Sequence, residues 1–455
     1  MNRKFNKEVI TGTCVDLSSE GKGIIKDDGR VIFVDGLFIG EKAEIETQYT
    51  RAGVYFGKVK TLIEKSKDRI SPKCNVCTAC GGCQFQQLSY SAQLAYKTNK
   101  VKNDLEHIAN IKCDVNPCIG MENPYNYRNK IQIPVGLNRY RQIVTGFYKA
   151  MTHEIIPIEK CYIEDERASS IIKDIKRLMP DFDLRPYNED TGEGELRHIL
   201  VRTSLNRKEI MVVLVMNCYT FAGRNNFAKA LVKLHPEITT IVQNINIRQT
   251  NVILGNKEEV IYGPGFIKDV LCGLIFKISS KSFYQINPSQ CEKLYNLAIE
   301  NAHLSKTDVV LDAYSGIGTI GLIAAKSVKE VISVEIIEDA TRDAVTNARV
   351  NDVKNIRFIN GDAGNYLLKA KENNQKLDVI FMDPPRTGST ERFLDAVLEI
   401  LPKKIIYISC DPSTLSRDIK ILSNKYSVAY VQPVDMFPQT FHVETIVLLC
   451  LKGSK

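Results

Sequence analysis

A cysteine stands where an apolar run stops, in Ile405-Ile406-Tyr407-Ile408-Ser409-Cys410-Asp411-Pro412. The run reads as a buried strand that delivers a thiol to the rim of a sheet, with Asp-Pro opening the next element. A thiol at a strand end is placed for nucleophilic chemistry, which the thiolate performs. The expectation is a Cys410 pKa lowered by nearby donors or by the N-terminus of a helix after Pro412. A carboxylate, Glu444, stands among apolar residues, Val443 before it and Ile446 to Leu449 after it. Such neighbours imply partial burial, which raises a carboxyl pKa toward the range of a general base.

Upstream, Leu311-Asp312-Ala313-Tyr314-Ser315-Gly316-Ile317-Gly318-Thr319-Ile320-Gly321 reads as a strand, a glycine turn and a helix start. Glycines there let a cofactor approach the backbone at a helix N-terminus. Glu335 closes the next strand, where a carboxylate can hold both hydroxyls of a ribose. Asp362 follows the third strand and could reach an adenine. Asp383, in Asp383-Pro384-Pro385-Arg386, ends the fourth. A nicotinamide enzyme would share the glycine turn and the acidic residue but not Asp-Pro-Pro. The combination resembles S-adenosylmethionine-dependent methyltransferases. Arg386, standing where an aromatic residue would stack an amino-bearing base, argues against methylation of an exocyclic nitrogen.

Thirteen cysteines occur, and Cys74, Cys77, Cys80 and Cys83 recur every third residue. In a reducing compartment disulfides are not expected, so ligation and catalysis are the alternatives. Four cysteines at this spacing could form a self-contained metal site, for instance with zinc, although nested CxxC pairs strain a tetrahedral cage. Alternatively, three of them join a distant fourth, as in iron–sulfur proteins. Cys14, Cys113, Cys118, Cys218, Cys272, Cys291 and Cys450 follow no pattern.

These residues need elements to position them. A chain of 455 residues, 44% hydrophobic and 25% charged, predicts two or three soluble domains. No apolar run is long enough to span a bilayer and no signal-peptide core follows the basic start, so a cytoplasmic location is expected. The formal charge is +8, and Ile63 to Lys160 holds 14 Lys/Arg against 8 Asp/Glu, consistent with a polyanionic partner such as RNA. Residues 8 to about 62 alternate short strands with glycine turns, as in a small oligonucleotide-binding barrel. Tyr90 to Ile108 has helical spacing. Tyr127 to about Val270 is mainly strands with a helix near Ala168 to Leu178. From about 280 onward, strands and helices alternate as in an open, mainly parallel doubly wound sheet. The expected fold is an α/β Rossmann-like domain at 271–455, a central α+β domain at 63–270 and an N-terminal barrel at 1–62. Tyr125, Tyr127, Arg128, Lys130, Arg139, Tyr140 and Arg141 interleave rings with basic groups suited to nucleic acid, and Arg197, His198 and Arg202 are similar candidates.

In order along the chain come Ser282-Phe283-Tyr284-Gln285-Ile286-Asn287, the Asp312 to Gly321 turn, Asp383-Pro-Pro-Arg386, Ser409-Cys410-Asp411-Pro412 and Phe437-Pro438-Gln439-Thr440-Phe441-His442-Val443-Glu444-Thr445. The set resembles the RNA uracil-C5 methyltransferases, specifically the ribosomal RNA branch, over essentially the whole chain. The resemblance implies an RNA-binding TRAM barrel at the N-terminus, an iron–sulfur domain and the methyltransferase fold. It implies Cys410 as nucleophile and Glu444 as base, with His442 structural or an RNA contact. It implies Gln285, Tyr314, Glu335 and Asp383 as contacts to S-adenosylmethionine, in a site that includes Gly316 and Asp362. The family's cysteine pattern matches Cys74, Cys80, Cys83 and Cys161 as ligands of a [4Fe–4S] cluster, and leaves Cys77 as an extra thiol. The implied product is 5-methyluridine in 23S ribosomal RNA, made by a monomer without membrane association. The alternatives are transfer-RNA uracil-C5 methylation, RNA cytosine-C5 methylation, and an RNA-binding assembly factor with an idle site.

Overall fold

The computed structural model describes residues 7–149 and 152–453. The first five strands, β1 (Val9–Leu17), β2 (Gly23–Asp27), β3 (Arg30–Val34), β4 (Lys42–Arg51) and β5 (Val54–Glu64), close into a barrel in the order β1-β2-β3-β5-β4. Its interior is filled by alternate strand residues, including Cys14, Ile25, Ile32, Val34, Ala43 and Ile45, the period-2 pattern of a sheet closed on itself. Short strands were expected over residues 8 to about 62, and the five strands occupy that region, the last ending at Glu64.

After the barrel the chain passes through the four-cysteine stretch and enters helix α1 (Tyr90–Asp104), capped by Ser89. Val101 of α1, with Leu105 and Cys118 beyond it, packs into the core of the C-terminal sheet. Residues 90–119 thus pack with the far end of the chain, a contact that periodicity alone cannot reveal.

The central sheet has seven strands: β6 (Lys130–Leu137), β7 (Ile143–Tyr148), β8 (Ile155–Pro157), β9 (Leu196–Thr203), β10 (Ile210–Met216), β11 (Ile238–Ile245) and β12 (Lys257–Tyr262), in the order β12-β11-β10-β9-β6-β7-β8. Helices α2 (Glu166–Leu178) and α3 (Arg224–Leu234) cover one face. Leu200, Met211, Val213 and Val242 on the other face join the core of the C-terminal sheet. Burial on both faces explains why β9 and β10 are buried at every position.

A hairpin of β13 (Ile267–Leu271) and β14 (Leu274–Ile278) leads into the last unit. There α4 (Pro288–Ala302), β15 (Val309–Ala313), α5 (Thr319–Ala325), β16 (Glu330–Glu335), α6 (Glu338–Val350), β17 (Ile356–Asn360), α7 (Ala363–Glu372), β18 (Val379–Met382), α8 (Glu391–Ile400), β19 (Lys404–Ser409) and α9 (Pro412–Leu422) alternate. Two further strands, β20 (Tyr426–Val434) and β21 (Glu444–Leu451), pair antiparallel at one edge. The order β17-β16-β15-β18-β19-β21-β20 reverses direction between β15 and β18, which places a crevice at the carboxyl ends of those strands. Helices α4, α5 and α6 pack one face and α7, α8 and α9 the other. Among the described residues, no helix is long and apolar enough to cross a membrane.

Candidate active site

Strand register gathers the expected site residues. Ala313 of β15 pairs with Val334 of β16 and with Met382 of β18, so the next residues, Tyr314, Glu335 and Asp383, leave the sheet side by side. Met382 pairs with Tyr407 of β19, which carries Cys410 out at the same rim. Glu444 reaches this rim from the opposite direction. Ser409 pairs antiparallel with Thr445, and extending that register sets Cys410 against Glu444.

Local chemistry fixes each strand end. Asp411 caps α9 by accepting from Ser413 N (2.9 Å) and Thr414 N (3.2 Å), and Pro412 occupies the first helical turn, where its missing N–H costs nothing. The free amides of α9 are thus spent on Asp411 rather than on the thiol. The expected lowering of the Cys410 pKa is accordingly overturned. The half-buried thiol is pushed up to about 12 by burial first, then by the charges of Glu444 and Asp383, with the Arg386 guanidinium opposing. Glu444 is buried, and Asp383 is mostly buried at its strand end. Burial raises both carboxyl pKa values, and the charge of Asp383 raises that of Glu444 further. Two carboxyls so placed disfavour double ionisation.

The glycine turn is built for a ligand at one face and for packing at the other. A Cβ at Gly316 (φ +55°) would meet nothing within 4 Å, whereas one at Gly321 would lie 2.7 Å from Asp312 Oδ2. Asp312 Oδ2 accepts from Gly321 N (2.9 Å) and Ser333 Oγ (3.2 Å), while its buried Oδ1 has no partner. Glu335 Oε2 accepts from Gly316 N (2.8 Å) and its Oε1 from Ile337 N (2.8 Å), so the carboxylate is oriented at the lip of the turn. Tyr314 adopts a left-handed backbone (φ +62°) and its hydroxyl meets Ser389 Oγ at 3.3 Å. Asp362 caps α7 through Asn365 N (2.8 Å). Gln285 lies against the Tyr295 hydroxyl, and its carbonyl accepts from Asn129 Nδ2 (3.1 Å). An open space over Gly316, an orphaned carboxylate oxygen and a rim of carboxylates suit a nucleoside ligand that bears positive charge.

Residues 89–452 match the family model described as tRNA (Uracil-5-)-methyltransferase. The chain belongs to this family. It is 42% identical over 448 residues to an uncharacterized RNA methyltransferase of Staphylococcus aureus strain MSSA476, covering 98% of each chain. A second uncharacterized RNA methyltransferase, from Caldanaerobacter subterraneus subsp. tengcongensis, is 42% identical over 439 residues, with 96% of this chain and 97% of that one covered. Among solved structures, the fold is shared with the tRNA (uracil-54, C5)-methyltransferase of Pyrococcus abyssi in complex with S-adenosyl-L-homocysteine, at TM-score 0.77 and 24% identity, over 97% of this chain and 100% of that one.

In this family member the cysteine stretch walls a cavity of about 250 Å³, with Cys74, Cys77, Cys80, Cys83 and the distant Cys161 on its lining. The fifth thiol arrives from the loop before α2. Arg128 and the buried Glu164 share the same wall. Among the described residues no three Cys, His, Asp or Glu side chains gather as a single metal ion would need; the thiols surround a volume. Thiols are donors of the kind an iron–sulfur cluster takes.

Several residues expected to face RNA do other work. Tyr127 is buried and donates to Pro438 O (2.9 Å). Arg197 and Arg202 are buried against backbone carbonyls, Arg202 through Ser282 O at 2.5 Å and Arg197 through Arg248 O at 2.6 Å. His198 is buried too. Arg139, Tyr140 and Arg141 remain on an exposed turn between β6 and β7. His442 stacks on Phe441 at 4.2 Å, and burial together with Arg386 and two lysines lowers its pKa to about 4. Sequence reasoning missed Cys291 and Tyr295, which partner each other on buried α4 within electrostatic reach of Asp383. Their only signal was the i, i+4 spacing of an ordinary helix face.

Proposed function

We propose that this chain transfers a methyl group from S-adenosylmethionine to C5 of a uridine in 23S ribosomal RNA. The observation that carries the reading is the β19/β21 register that sets Cys410 against Glu444 at the cofactor rim. Uracil C5 is too weak a carbon nucleophile to take a methyl group unaided. The Cys410 thiolate adds to C6 and turns the ring into an enolate with electron density on C5. S-adenosylmethionine supplies the electrophilic methyl group that C5 takes. Glu444 then removes the C5 proton, the electron pair re-forms the C5–C6 double bond, and Cys410 leaves as thiolate.

Burial, with the charges of Glu444 and Asp383 adding to it, holds Cys410 protonated, and a positively charged methyl donor held beside these residues would offset the charge part of that effect. Gly316, Tyr314, Glu335, Asp362, Asp383 and Gln285 are the residues proposed to hold that donor. The target base must be unpaired or flipped for C6 to reach the thiol.

The barrel at 1–62 is read as a TRAM unit that binds RNA. Cys74, Cys80, Cys83 and Cys161 are read as ligands of a [4Fe–4S] cluster with a structural or RNA-positioning role, with Cys77 as the extra thiol. The barrel does not by itself separate ribosomal from transfer RNA, because the Pyrococcus abyssi tRNA enzyme shares the fold over 97% of this chain. Transfer RNA is therefore the second reading. The test is methyl transfer from labelled S-adenosylmethionine to ribosomal and transfer RNA from cells lacking the protein, followed by mapping. Label at a single uridine C5 of 23S RNA supports the first reading and label in transfer RNA the second. Label on cytosine, or none, overturns both.

A further inference from the structure

Between β20 and β21 the chain crosses residues 435–443 without regular structure and arrives at Glu444. No sheet ladder holds this loop. Helix α1 and the segment before it hold it, together with Tyr127, which donates to Pro438 O, and the start of α4, where Asn287 Nδ2 donates to Met436 O and Gln290 Nε2 to Asp435 O. Lys97 Nζ donates to Asp435 Oδ1 at 2.5 Å, with both side chains fully buried, and to Phe437 O at 3.1 Å. The Tyr90 hydroxyl donates to Asp435 Oδ2 at 2.9 Å. Gln93 and Gln439 make a reciprocal pair, with Gln439 N donating to Gln93 Oε1 (3.0 Å) and Gln93 Nε2 to Gln439 Oε1 (3.1 Å). Phe85 N, two residues past Cys83, donates to Gln439 O at 3.0 Å.

Gln439 sits at φ +71°, a conformation that a side chain disfavours and that its surroundings must impose. Tyr90, Gln93 and Lys97 stand at i, i+3 and i+7, so their contacts come from one face of α1. A buried ion pair adds little net stability over apolar packing, and its best-attested use is to specify a geometry.

We propose that Tyr90, Gln93 and Lys97 are positioning residues that hold the 435–443 loop so that Glu444 meets the C5 proton. The proposal rests on the uridine-C5 reading above. Cys410 is carried by β19 and α9, away from this loop, whereas Glu444 is the first residue of β21, paired with Val434, with the loop directly before it, so a displaced loop disturbs proton removal first. Loosening the loop must therefore uncouple the two steps.

The test compares wild type with Gln93→Leu, which removes hydrogen bonds but no charge, and with the charge-free double variant Lys97→Met/Asp435→Asn. Covalent trapping on 5-fluorouridine RNA, which has no C5 proton to lose, reports attack and methyl transfer. Turnover on ordinary RNA also needs Glu444. The expected result is trapping at the wild-type rate, turnover lower by about 10²-fold, and a methylated protein–RNA adduct that accumulates on ordinary RNA. An equal fall in both rates, or no fall in turnover, overturns the positioning role and leaves the uridine reading standing. Failure of wild type to trap 5-fluorouridine RNA overturns both. Gln93→Leu keeps the test open should the double variant not fold.

Discussion

Cys410 and the carboxyls of Glu444 and Asp383 oppose each other electrostatically. The thiol is held near pKa 12 by burial and by the charges of Glu444 and Asp383. Its alkylation, followed on the Cys410 peptide by mass spectrometry, is expected to be slow at neutral pH and to rise steadily into the alkaline range. S-adenosylmethionine should move that rise to lower pH, and S-adenosylhomocysteine, with a neutral sulfur, should move it less; equal shifts would remove the sulfonium from the argument. Asp312 offers a stability test. Burial raises its carboxyl pKa to about 7, with the charges of Asp383 and Glu335 adding to the rise and the bonds from Gly321 and Ser333 opposing it. A raised acid favours folding while protonated, so its contribution is complete below about pH 4 and is lost as pH climbs through about 7, at about 1.4 kcal/mol per unit. Asp312→Asn should flatten that part of the stability curve. Urea midpoints between pH 4 and 8 that run parallel for the two proteins would count against it.

At the scale of elements, the strand-turn-helix from β15 to α5 performs two tasks that substitution separates. Gly316→Ala places a methyl group in open space, so the fold should lose only the left-handed backbone penalty, about 1–2 kcal/mol. The same methyl stands where the cofactor is proposed to lie, and calorimetry should show weakened S-adenosylmethionine binding. Gly321→Ala drives its Cβ to 2.7 Å from Asp312 Oδ2 and 3.2 Å from Val331 Cγ1. It should lower the thermal midpoint more than Gly316→Ala does. If the two variants behave alike, the division of the turn into a ligand face and a packing face is wrong. Asp411 has a comparable split position, since it follows the thiol yet spends its carboxylate on α9.

Over the whole molecule, the cysteine cavity and the reaction site meet at the 435–443 loop, through Phe85 on one side and through Tyr127, next to Arg128, on the other. Protein purified without oxygen should carry iron and sulfide and absorb visible light. Cys161→Ser should remove iron and lower thermal stability, while Cys77→Ser should retain it. Colourless, iron-free wild type would refute the cluster, and equal iron loss in both variants would refute the ligand choice.

Much of this architecture was legible in order and period. The continuous apolar runs of β15, β18 and β19, each ending on Asp, Cys or a glycine turn, announced a parallel sheet with a ligand rim, because burial on both faces leaves no polar alternation. The Asp-Pro after Cys410 announced α9, since proline is tolerated at the first helical turn. The meeting of Cys161 with the Cys74–Cys83 stretch followed only from family resemblance, and the packing of α1 on the C-terminal sheet and the Lys97–Asp435 pair were not legible. Each joins residues far apart in sequence, 338 positions apart for the ion pair, and no local period encodes such a meeting. The direction of the Cys410 pKa shift was settled the same way. A helix start beside a thiol suggests stabilisation of the thiolate, but folding caps that helix with Asp411 and brings Glu444 and Asp383 close enough for burial and like charge to outweigh it.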